Sequence, residues 1–144
     1  MTRLDSERAF IAANFFLRDL ADRTHNDELK VFHAMSGYVP GVGSGDPAMW
    51  YDWLARVRKV QTGRLIPDNS GERGALSAEM MQPLDAEQAY IATFEYLEEY
   101  WIRVNRPPEL SDILGAMRYT PGVGTAEPSL WNAWLAAFEK AGQA

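Results

Sequence analysis

A passage of this chain is written twice. Residues 4–23 match 84–103 at a shift of 80 with eight of 20 positions identical, and residues 38–55 match 119–136 at a shift of 81 with ten of 18 identical. The second block carries Tyr38-Val-Pro-Gly-Val-Gly43 over to Tyr119-Thr-Pro-Gly-Val-Gly124, and Trp50, Trp53 and Leu54 over to Trp131, Trp134 and Leu135. Self-similarity at a fixed spacing is the mark of one supersecondary unit used more than once. Residues 61–83 have no counterpart and hold the turn-rich stretch Pro67-Asp-Asn-Ser-Gly-Glu-Arg-Gly74. The expected organisation is a first helical repeat at 1–60, a linker at 61–83 and a second helical repeat at 84–144.

Each repeat reads as three helices. The first opens on an Asp N-cap, Asp5 or Asp85, and in the second copy Gln88 completes a capping box. Its apolar stripe is Phe10, Ala13, Leu17 and Leu20, matched by Tyr90, Thr93, Leu97 and Tyr100, and it ends near Thr24 or Asn105. A short second helix is expected over about Asp27–Ser36 and Glu109–Met117, with a one-residue slip inside it that sets Ala34-Met35 opposite Ala116-Met117. The third starts at Asp46-Pro47 and Glu127-Pro128, where proline at the first helical position loses no hydrogen bond. Trp50, Trp53, Leu54 and Val57, echoed by Trp131, Trp134, Leu135 and Phe138, form its expected buried stripe. A three-helix unit of roughly 57 residues is marginal alone. The fold class expected is therefore all-α, a tandem duplication of a three-helix unit packed as one pseudo-two-fold domain.

Composition narrows the function. The sequence has no cysteine, which fits a reducing compartment, and no apolar run near the roughly 18 residues of a membrane span, so a cytoplasmic protein without a membrane partner is expected. A net charge of -6 argues against a nucleic-acid surface and favours basic partners. The glycine loop has the form of a type II turn, Val39-Pro40-Gly41-Val42, with proline fixing one φ and glycine accepting a positive one. A phosphate cradle would run into a helix with a lysine in register; here an acid caps the helix, so no cofactor is expected. His25 and His33 lack metal-binding spacing, and no nucleophile motif is present. The expectation is a non-enzyme without metal.

The acidity is uneven. Residues 1–60 hold eight acids and eight bases, whereas 84–144 hold nine acids and four bases. Glu95, Glu98 and Glu99 share one flank of a helix whose counterpart positions are Phe15, Arg18 and Asp19. The expected partner-binding residues are thus Glu95, Glu98 and Glu99, with Glu109 and Asp112 secondary and Trp101 as an aromatic anchor.

The unit Leu-Asp-x-Glu-x-Ala-(Phe/Tyr)-Ile-Ala, then Ala-Met, a glycine loop and an acid-Pro-x-x-Trp-x-x-Trp-Leu helix, resembles a group of small helical bacterial proteins associated with immunity to contact-dependent or polymorphic toxins. The second copy is the closer match, through "LDAEQAYIATFEYLEEYW" and "GTAEPSLWNAWLAAFEKA". The resemblance rests on cap and core positions and implies a neutralising binder, a monomer or weak dimer whose partner is a basic toxin domain such as a nuclease. It carries over no site residues. The alternative is a small-ligand or regulatory module that uses the groove between the repeats, with the glycine loops at its rim.

Overall fold

A computed structural model of the chain describes residues 2–39, 43–63, 76–78 and 81–143. The chain is mostly helical, and the order of elements recurs: α1 (Ser6–Thr24), α2 (Asp27–Ser36), a hairpin of β1 (Tyr38–Val39) and β2 (Gly43–Ser44), and α3 (Pro47–Thr62); then α4 (Ala86–Arg103), α5 (Pro108–Met117), a hairpin of β3 (Tyr119–Thr120) and β4 (Gly124–Thr125), and α6 (Pro128–Gly142). The two hairpins are additions to the expected all-helical outline. Strands of two residues leave no periodicity to read.

The helix starts form as their caps dictate. The Asp5 carboxylate accepts from the Arg8 N–H, and Asp85 and Gln88 exchange both bonds of a capping box. Asp46 caps the Ala48 N–H ahead of Pro47. In the second hairpin the Val123 N–H donates to the Thr120 carbonyl at 3.0 Å and Gly122 has a φ of 81°, which is the expected type II turn. Its first-copy version, at residues 40–42, lies outside the described residues, as does the turn-rich stretch 67–74. Two boundaries move. Gln61 and Thr62 belong to α3, which stops at Gly63 with a φ of 76°, so the linker begins later than residue 61. The expected slip inside the second helix is absent: Asp46 N–H bonds to Met35 and Glu127 N–H to Ala116, which pairs Met35 with Ala116 at the same shift of 81 as the flanking hairpins.

The third helix of each half packs on the first helix of the other. α1 lies along α6 and α3 along α4, while α1 and α4 touch each other in the middle. Just ahead of α1 and α4, Leu4 and Leu84 exchange backbone hydrogen bonds, Leu4 N–H to Leu84 carbonyl at 2.9 Å and the reverse at 2.7 Å. Two aromatic trios join the halves. Phe10, Trp53 and Tyr96 have ring centroids 5.3–5.8 Å apart; Tyr90, Trp134 and Phe16 have theirs 5.5–5.9 Å apart. Each trio takes two rings from one half and one from the other. The buried indole N–H groups are satisfied alike: Trp53 donates to the Ser6 carbonyl at 3.0 Å and Trp134 to the Ala86 carbonyl at 2.9 Å. The buried side chains of the six helices form one hydrophobic cluster.

The expected stripes of α1 and α4 are buried, as are Leu110, Ile113, Leu114 and Met117 of α5. Five apolar residues depart. Val31 is half exposed on α2; Met35 and the stripe residues Trp50 and Trp131 are only partly buried; and Leu135, expected in the buried stripe of α6, is 39% exposed.

Candidate functional site

The acidic flank of α4 faces α3, and α3 supplies cations. Arg56 pairs with Glu99 at 2.8 Å with both side chains 12% exposed, and Arg103 bridges Glu99 at 3.0 Å and Asp52 at 3.1 Å. Lys59 pairs with Glu95. A carboxylate already neutralised by a close, mostly buried guanidinium has little field left for a partner. The expected docking face at Glu95, Glu98 and Glu99 is therefore divided: Glu95 and Glu99 hold the α3–α4 seam, while half-buried Glu98 makes no ion pair among the described residues. Sequence reasoning counted the charge of each half separately. It had no sight of the first half's Arg56 and Lys59 crossing to the second half's acids.

Trp101 is also committed locally. Its indole N–H donates to the Pro107 carbonyl at 3.1 Å and the Arg106 guanidinium sits 5.7 Å from its ring. Together they brace the turn from α4 to α5, where Asn105 and Arg106 both take the left-handed backbone (φ 68° and 54°). His25, the C-cap of α1, takes it too (φ 54°), so the aligned His25 and Asn105 share a backbone requirement despite their different side chains.

The secondary residues are brought together. Glu109 and Asp112 of α5 meet Asp27 and Glu28 of α2 around a cleft of about 610 Å³, with His25 and Asn26 at its edge. Asn26 builds it. Its side-chain oxygen caps the Leu29 N–H at 2.9 Å while its amide donates to the Glu109 carbonyl at 2.9 Å, tying the start of α2 to the first turn of α5. Asp27, Glu28 and Glu109 lie in the first turns of their helices, where the helix dipole stabilises each acid by about 0.3–1 kcal/mol. Three of the four, Asp27, Glu109 and Asp112, are exposed, and no Lys or Arg lines the cleft. Tyr100 packs nearby with its hydroxyl pKa raised, first by burial and then by the Glu28 charge. Asp27 and Glu28 were missed as site residues because the first half is neutral by count; only the α2–α5 contact reveals them.

Two apolar depressions flank Trp131. One, about 490 Å³, lies between α6 and the start of α4; the other, about 520 Å³, lies against the β3–β4 hairpin at Val123 and Gly124. Tyr119 donates to Glu87 at 2.8 Å, and its pKa is pushed up to about 12, by burial first and by Glu87 next. The lining of the first includes Thr2 from the first half, and the other belongs to the second half alone. Among the described residues no His, Asp and Glu cluster has metal-holding geometry, and no helix is long and apolar enough to cross a membrane. No family model, no curated protein and no solved structure matches the chain.

Proposed function

We propose that this chain is a protein-binding inhibitor of the toxin-immunity type, a cytoplasmic monomer or weak dimer that engages a basic toxin domain through the α2–α5 cleft. The observation that carries the reading is the convergence of Asp27, Glu28, Glu109 and Asp112 from both halves on one cleft with no Lys or Arg in its lining. Such a surface attracts basic partners at long range and gives fast, salt-sensitive association. Glu95 and Glu99 contribute by holding α3 and α4 in place, and Glu98 is the acid of that flank left without an ion pair among the described residues. The scaffold is an internal duplication with an approximate two-fold axis at the Leu4–Leu84 pair. In favour of that are the matched indole hydrogen bonds, the matched aromatic trios and the constant shift of 81 through hairpin and third helix.

The test is binding to the protein encoded next to this chain's gene, followed by biolayer interferometry at about 50 and about 300 mM salt. Association is expected to slow at least about tenfold over that range, and to slow similarly at low salt in the double variant Glu109→Lys, Asp112→Lys. A neighbour that does not bind, or one whose association ignores both changes, removes the reading.

A further inference from the structure

Position by position, the outer face of α6 is less covered than the same face of α3. Leu54 and Ala55 are fully buried and Tyr51 and Arg58 partly so, whereas 81 positions on Leu135 is 39% exposed and Asn132, Ala136 and Glu139 are exposed as well. These positions fall at i, i+3, i+4 and i+7, a single helical stripe. The helix packed beside the stripe does not account for the difference, since α1 lies on α6 as α4 lies on α3. The chain that leads from α3 into α4 is itself packed on the core. Leu76 is buried, Ala78 and Met81 pack on the core, and the Gln61 amide clamps the Gln82 backbone, donating to its carbonyl and accepting from its N–H at 3.2 Å. In α6 the residue at the position of Gln61 is Gly142, with no side chain to clamp a strand of chain.

The second half thus presents open what the first half keeps covered. Trp131, Leu135 and Phe138 form the floor of the groove of about 490 Å³, with Asp85, Glu87 and Glu139 at its rim and no Lys or Arg in its lining. We propose that this groove docks an extended peptide segment of a partner protein, one bearing a leucine- or methionine-sized anchor and a lysine or arginine. The anchor follows from the apolar floor, and its size from Leu76 and Met81, the side chains by which the 76–83 stretch packs on the core. The charge follows from the rim: Asp85, Glu87 and Glu139 are all acids, and Glu139 stands where α3 has Arg58. A segment for the second groove should therefore carry a cation. The proposal stands apart from the α2–α5 cleft, with which the groove shares no residue.

The probe is a fluorescein-labelled peptide, Leu-Ser-Ala-Lys-Met-Met-Gln-Pro, which is the 76–83 sequence with its acid replaced by lysine, titrated with the full chain and read by polarisation. Saturable binding is expected, weakened at least about tenfold by Leu135→Lys and also by Glu139→Lys, and unaffected by Asp112→Lys in the other cleft. Both groove positions are exposed, so the variants should keep the wild-type circular dichroism. The same peptide with its native glutamate should bind more weakly. Absence of saturable binding, or binding undiminished by Leu135→Lys, overturns the proposal. So does sedimentation showing a concentration-dependent dimer that Leu135→Lys abolishes, which would assign the groove to a second copy of this chain.

Discussion

The α3–α4 seam and the α1–α6 seam occupy equivalent places and are held by different chemistry. Where Lys59 meets Glu95, its counterpart Lys140 lies 4.3 Å from the ring of Phe15. Where Asp52 and Arg56 reach Arg103 and Glu99, the other seam has Ala133 and Ala137, and the remaining pair, Arg23 with Asp19, stands half exposed. One seam is a lattice of ion pairs under partial cover, the other an apolar contact with a cation over a ring. A divergence of charge between two similar halves is thus in large part a divergence of internal glue, and only the acids left over from it can serve an outside partner.

That contrast can be broken at its shared core first. Trp53→Ala and Trp134→Ala each delete a fully buried indole, and each should cost about 3–5 kcal/mol. Because each trio draws on both halves, urea denaturation followed by circular dichroism and by Tyr/Trp fluorescence should show one lowered transition in either variant. Two separated transitions would mean that the halves fold independently and that the seams are incidental.

A finer cut separates the seams themselves. Arg56→Ala strips a mostly buried cation from Glu99, which keeps Arg103, and should destabilise by about 2 kcal/mol; adding Glu99→Ala should recover part of that loss. Lys140→Ala removes only the contact over Phe15, a loss of about 0.5–1 kcal/mol. Equal losses in chemical denaturation would erase the distinction.

The smallest effect concerns α2 against α5. His33 has its pKa lowered, by burial first and by Arg18 next, with Asp22 opposing; α5 has Leu114 at that place. The folded state therefore binds fewer protons than the unfolded one. Its contribution is complete above the unfolded value near 6.5 and is lost as pH falls from there toward the lower folded value. The urea midpoint should drop more between pH 7.5 and 5.5 in the wild type than in His33→Gln; parallel profiles would show that His33 titrates as in the unfolded chain.

Local chemistry was readable in the sequence. Asp5, Asp85 with Gln88, and the two acid-proline starts set the helix beginnings, and the stripes Phe10–Leu20 and Tyr90–Tyr100 set the buried faces. What could not be read was which helix meets which. Spacing put Glu95 and Glu99 on one flank of α4, but the neighbour of that flank, α3, is fixed by long-range packing that no local pattern encodes. The same gap hid the α2–α5 cleft and left Leu135 looking like its buried counterpart Leu54. An equivalent residue is covered or bare according to chain that comes from elsewhere.

The reciprocal bond between Leu4 and Leu84 has a meaning for ancestry. Each leucine gives and receives the same bond, as the residues on a dimer axis do when two identical subunits meet. A single-repeat forebear of the inferred duplication would have assembled as a homodimer, with its third helix reaching across to the partner's first. On that proposed duplication, fusing two such subunits would have turned a concentration-dependent association into an intramolecular one. With assembly no longer dependent on subunit concentration, each half would have been free to drift, one seam toward ion pairs and the other toward rings, without losing its mate.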